Sequence, residues 1–327
     1  MPRLNYGTLL ENIVVLESTR LCLDRSTTDL PLAFASAFAM PALTQCWCKA
    51  TEMRNSPWFN HEYLRQLAAG QQEGQSLKEL WSLCIRNETK LPSWSFHDDR
   101  PLVYSSAGPN GALLASILCA QRGRQIHLWI NDDAGRYGKL SALCQDPLPD
   151  SSDTLVQGAS LAKRQATGTA CEVSGQFPQT LPGLAEWLGR GAVRTAPIRL
   201  GFLDPDNYAE GGTQVAPADH QRWLDVLADD SDKVVSAIFS GCQNRGAENV
   251  ARDQRLGWFH EDAVDLYPLS VMFEYGGFQT GVKIRWPKDA IQAAVEDLRL
   301  RVEVSWRGWS PSLGPLTVHL NGQPGHR

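Results

Sequence analysis

The stretch Leu200-Gly-Phe-Leu-Asp-Pro-Asp-Asn-Tyr208 has the residue types and spacing of a reactive strand end. Its apolar half reads as a buried strand, and Asp204-Pro205-Asp206-Asn207 is a cluster of turn formers. Pro205 has no N–H and a fixed φ, so it stops strand pairing and holds the neighbouring acids in a rigid turn. In an open parallel sheet, ligands bind beyond the carboxyl ends of strands, so carboxylates placed there face a cleft. An acidic turn that merely solubilises a strand end has the same sequence pattern.

Two other strand ends carry comparable residues. Ser105-Ser-Ala-Gly-Pro-Asn-Gly111 precedes a helical run; Gly108 and Gly111 would let backbone approach a ligand, next to the free N–H groups of a helix start. Asn131-Asp132-Asp133 ends the strand Gln125–Ile130. An acid there can accept hydrogen bonds from ribose hydroxyls, or serve as an ordinary helix N-cap.

Positioning these ends requires alternating strands and helices. Residues 1–95 read as a mainly helical accessory region, with helices over Asn5–Glu17, His61–Gly70 and Ser76–Ile85. Leu30–Pro41 reads as a buried helix or loop, and the proline-flanked segment Leu91–Pro101 as the boundary. From residue 96 to 327 the pattern is strand Pro101–Tyr104, helix Ala112–Gln121, strand Gln125–Ile130, strand Ala170–Val173 and helix Leu181–Leu188. Strand Ile198–Leu203, helix Ala218–Leu227 and strand Lys233–Phe239 follow, with a helix over Gln243–Arg255. Leu269–Tyr275 and Thr280–Trp286 flank Gly276-Gly277 as a hairpin. Pro287 opens a helix to about Leu298, and strands Arg301–Trp306 and Pro315–Leu320 close the chain. The sum is an α/β fold, a doubly wound and mostly parallel sheet with a C-terminal antiparallel hairpin.

The composition of the 327 residues narrows the function. A net charge of −5 disfavours a tight duplex-DNA binder, while leaving room for a local nucleic-acid site. No apolar run is long enough to span a membrane and no signal-peptide pattern opens the chain, so a cytoplasmic protein is expected. The eight scattered cysteines, with only Cys46 and Cys48 close together, read as free thiols rather than a metal site. Eleven tryptophans suggest contact surfaces such as Trp306-Arg-Gly-Trp309. His61, His220 and His260 stand alone. Arg122, Arg124 and Arg136 read as a solvated face, or as a phosphate site beside the cleft.

Taken in order, the pieces from about residue 100 to 286 resemble a class I, Rossmann-like methyltransferase fold that uses S-adenosylmethionine. Ala107-Gly108-Pro109-Asn110-Gly111 resembles the glycine loop of three-Cys-motif partner proteins. Asp204-Pro205-Asp206-Asn207-Tyr208 resembles the acceptor motif of adenine amino-methyltransferases. The resemblance implies that Ala107, Gly108 and Gly111 contact the cofactor's methionine part, Asp132 its ribose and Glu172 its adenine. It also implies that Asp204, Asp206, Asn207 and Tyr208 face the methyl acceptor, a nucleic acid or nucleotide. Two departures are visible. Tyr104 and Ser105 stand where the first strand normally ends in an acid, and Asp206-Asn207 replaces the second proline before Tyr208. The competing expectation is a methyltransferase-like module without catalysis, which binds a protein partner through the N-terminal region or a Trp-rich surface.

Overall fold

The computed structural model describes residues 6–26, 31–37, 43–47, 103–109, 111–122, 124–131, 170–171, 177–204, 215, 217–229, 233–241, 259, 263–276, 278–309 and 314–321. The elements are α1 (Tyr6–Arg25), β1 (Leu32–Ala37), β2 (Leu43–Trp47), β3 (Val103–Pro109), α2 (Gly111–Gln121), β4 (Ile126–Asn131) and β5 (Ala170–Cys171). There follow α3 (Phe177–Leu188), α4 (Gly191–Thr195), β6 (Ile198–Leu203), α5 (Pro217–Leu227), β7 (Val234–Gly241), β8 (Leu269–Tyr275), β9 (Phe278–Arg285), α6 (Ile291–Trp309) and β10 (Thr317–Asn321).

An eight-stranded sheet has the order β10-β8-β9-β7-β6-β1-β4-β5, and β2 and β3 form a separate two-stranded antiparallel ribbon. β5, β4, β1, β6 and β7 are parallel neighbours. β9 is antiparallel to both β7 and β8, and β10 is antiparallel to β8. With β2 and β3 set aside, the parallel strands follow the doubly wound order third, second, first, fourth, fifth. The direction of winding therefore reverses between β1 and β6. The hairpin turn between β8 and β9 uses Gly276 at φ +57°, a left-handed conformation that suits glycine.

The middle strand corrects the sequence reading. Leu32–Ala37 is neither helix nor loop; it is fully buried and pairs on both sides. Tyr6–Arg25 and Leu32–Ala37 thus supply a helix and the middle one of the five parallel strands, and a separate accessory region ending at residue 95 does not describe them. α1 also runs past Glu17 to Arg25. Leu32 and Phe34 face a core shared with α1, α2 and α6. Ala33, Ala35 and Ala37 face a second core shared with α3 and α5, where Trp129, Trp187 and Trp223 are buried. Alanine on that face leaves room for the indoles, and Trp129 and Trp223 lie 6.2 Å apart, tilted by 45°. α1 is buried nearly all round from Leu9 to Leu23, polar residues included, because the sheet, α2 and α6 enclose it.

Arg301–Trp306 is also corrected: it belongs to α6, not to a strand. Trp306 is fully buried and donates its Nε1 proton to the Gly314 carbonyl at 2.9 Å, so it is no part of a contact surface. At the amino edge of the sheet, Asp24 accepts hydrogen bonds from Arg122 and Arg301, and Asp297 accepts from Arg301 and Arg25. This network ties together the last turns of α1 and α2 and the middle of α6. The segments His61–Gly70, Ser76–Ile85, Leu91–Pro101 and Gln243–Arg255 lie outside the described residues.

Candidate functional site at the carboxyl rim

The reversal between β1 and β6 opens the sheet at its carboxyl edge, which is where a doubly wound fold binds ligands. Ala37 stands level with Asn131 on one side and Leu203 on the other. The N–H of Asp204 still reaches the Ala37 carbonyl, at 3.4 Å. Asp204, half-buried, therefore sits at the switch point. Asp206, Asn207 and Tyr208 lie outside the described residues, as do Asp132 and Glu172.

The glycine segment divides. Ala107 and Gly108 belong to β3, paired with Gln45 and Thr44 in the small ribbon. They do not form the loop after the sheet's first strand, because that strand is β1 and the chain between β1 and α2 carries the ribbon as an insertion. Tyr104 and Ser105 are likewise in β3, so they do not end the first strand of the main sheet. What matters is the end of β1, where Ser36 and Ala37 offer no carboxylate. Gly111 keeps its expected place at the start of α2, directly under the rim. A Cβ there would come within 3.3 Å of Val15 Cγ1 and 3.4 Å of Phe202 Cδ1. Glycine therefore allows the helix start to seat between α1 and β6.

Three buried polar side chains stand at this edge, of which Asn12 and Glu11 escaped the sequence reading. Asn131 is 3% exposed, and its Oδ1 has no hydrogen-bond partner. Asn12, on α1, is 5% exposed with an unpartnered Nδ2. Glu11, its neighbour, accepts a hydrogen bond from Ser240 at the end of β7. Burial pushes the Glu11 carboxyl up to about 7, against the opposing effect of that hydrogen bond. An orphaned buried amide is costly in a core, but it is what a site built for a polar ligand leaves behind. The only sequence signal for Glu11 and Asn12 is their polarity between two apolar runs of α1.

Other singled-out residues lie elsewhere. Arg122 pairs with Asp24, and Arg124 donates to Ser26 at 3.3 Å, both at the amino edge and away from the cleft. A phosphate site beside the cleft is thus not formed by these two; Arg136 is outside the described residues. His220 is buried with its ring edge-on to Phe239, 4.9 Å between centroids. Among the described residues there is no cluster of three metal-ligating side chains, and no helix is long and apolar enough to cross a membrane. Cys22 and Cys119 are buried free thiols, each pushed up to about 12 by burial and so unreactive.

No protein-family model matches the chain, and no curated protein does. Among solved structures it is similar to the crystal structure of protein LPL1258 from Legionella pneumophila str. Philadelphia 1, of family DUF519. The TM-score is 0.56 at 12% identity, over 97% of this chain and 98% of that one. At that identity the likeness speaks for a shared α/β fold alone.

Proposed function

We propose that this protein is a Rossmann-like methyltransferase, which binds S-adenosylmethionine at the carboxyl rim and serves a nucleic-acid or nucleotide acceptor. The observation that carries the reading is the reversal of strand order between β1 and β6, with Asn131, Gly111 and Asp204 gathered at that point. The antiparallel β9 laid between β7 and β8 supports it, since the resemblance extends to that end of the sheet.

The residues present fit a nucleoside ligand. Asn131 offers a buried acceptor suited to a ribose hydroxyl, and the start of α2 presents the positive end of its helix dipole to an anionic group. When bound, the cofactor supplies an already activated methyl group, so the protein's task is alignment. Asp204 is placed to accept a hydrogen bond from an acceptor amine and orient its lone pair.

The test is a thermal-shift and calorimetric titration with S-adenosylmethionine and S-adenosylhomocysteine. A ligand at about a hundred times its Kd stabilises the folded form by roughly 2.7 kcal/mol, a readily measured rise in Tm. No shift with millimolar ligand refutes the reading. Asp204→Ala should keep binding and lose methyl transfer. Because β1 ends without a carboxylate, a second reading has its own support: a non-catalytic methyltransferase-like module. Cofactor binding with no transfer by the parent protein to any RNA, DNA or nucleotide tested would favour it.

A further inference from the structure

The last turn of α3, the short α4, the start of β6 and the end of α5 enclose a cavity of about 520 Å³. It lies on the α3 and α5 side of the sheet, at the amino edge. Arg199, in its wall, is the second residue of β6 and stands level with Ala33 and Val235, whereas Asp204 follows the far end of the same strand. The cavity is therefore separate from the carboxyl rim.

The chain puts charges of both signs into this space. Arg199 alternates with Leu200 and so shares the sheet face of Gly201. It is 3% exposed, and its Nη1 donates to the Leu227 carbonyl at 3.2 Å, which fixes a positive charge on the inner wall. Arg194, from α4, and Asp229, just past α5, are exposed and border the same cavity. Among the described residues, the Arg194 guanidinium and the Asp229 carboxylate make no hydrogen bond or ion pair, with each other or with a third group. The carboxyl end of the α5 dipole adds to the negative potential around Asp229. Ala185, Leu188 and Val226 supply the apolar part of the lining.

A simple anion in this cavity would meet the repulsion of Asp229, and a simple amine that of two guanidinium groups. A small molecule carrying both charges meets neither, and it can form a charge-assisted hydrogen bond at each end. We propose that the cavity binds a small zwitterion of the aliphatic α-amino-acid class. Its carboxylate lies on Arg194 with Arg199 behind, its ammonium on Asp229, and its aliphatic part against Ala185, Leu188 and Val226.

The experiment titrates the full chain, by ligand-observed NMR, with three molecules of one shape. These are leucine, 4-methylpentanoate, which lacks the ammonium, and 3-methylbutylamine, which lacks the carboxylate. Leucine should bind about tenfold more tightly than either, the order of one charge-assisted contact. Asp229→Asn should reduce leucine to the level of 4-methylpentanoate without weakening 4-methylpentanoate itself. Arg194→Gln should reduce leucine to the level of the amine and leave the amine unchanged. Both side chains are exposed, so the variants should fold, and Tm checks that they do. No leucine binding at millimolar concentration, equal binding of all three molecules, or leucine binding that both variants leave intact overturns the inference. The cofactor reading stands or falls separately, since its titration uses neither residue.

Discussion

Replacing Glu11 with glutamine should make the unliganded protein more stable at alkaline pH, and the size of the gain follows from the burial of the carboxyl. An ordinary glutamate titrates near 4.5, whereas Glu11 in the fold is pushed to about 7, chiefly by burial. Below pH 4.5 both folded and unfolded chains hold the proton, and the native state has its full stability. Between 4.5 and 7 the unfolded chain ionises and the folded one does not, so stability falls as pH rises. Above 7 the loss is complete. At about 1.4 kcal/mol for each tenfold step, it is on the order of 3 kcal/mol. Glutamine is neutral throughout and can still accept the Ser240 hydroxyl, so it escapes the loss. Urea denaturation of both proteins from pH 4.5 to 8.5 should give curves that nearly coincide at the acid end and diverge steadily through neutrality. Parallel curves across that range would show that the Glu11 side chain is hydrated in the native state, and the argument from burial would collapse.

Gly201→Ala should destabilise the fold by roughly 1–3 kcal/mol. Its Cβ would fall 2.2 Å from Leu227 Cδ1 and 3.2 Å from Trp223 Cζ2, pressing α5 off β6; thermal denaturation measures the cost. Asp24→Asn removes the negative charge shared by Arg122 and Arg301 and replaces one of the two accepting oxygens with a donor. Burial alone would raise the Asp24 carboxyl, but the two guanidinium groups outweigh it and hold it below the ordinary range. Its contribution is therefore present at neutral pH and disappears as acid protonates it below about 3.8. Because these pairs are partly exposed, the loss at pH 7 should stay within about 1 kcal/mol and shrink in high salt, read from Tm at two ionic strengths.

Much of the sheet could be read from residue patterns. β6, β7 and the β8–β9 pair are rich in β-branched and aromatic residues and are bounded by turn formers, the signal on which strand assignment rests. α2 and α5 likewise carried their periodicity openly. β1 did not. Leu-Ala-Phe-Ala-Ser-Ala37 has low strand propensity, and as a run buried on both faces it shows no alternation to separate it from a helix. What makes it a strand is its neighbours, whose indoles need the small side chains. Arg301–Trp306 misled in the opposite way. Val302, Val304 and Trp306 alternate like a strand, yet Val295, Leu298, Val302 and Trp306 are the buried stripe of one long helix. The rim was legible at Asp204 and Gly111, whose neighbours along the chain are turn or helix signals. Asn12 and Glu11 were not, because polar residues scattered along a helix disclose neither which end of the sheet it touches nor which of them is buried.

The place of β1 has a bearing on how the molecule assembles. The middle one of the five parallel strands is synthesised long before its partners, as β4 begins at Ile126 and β6 only at Ile198. Until then a sticky, uncharged ribbon of small apolar residues has nothing native to lie against. Pairings this remote along the chain slow folding and leave nascent hydrophobic segments open to misassociation.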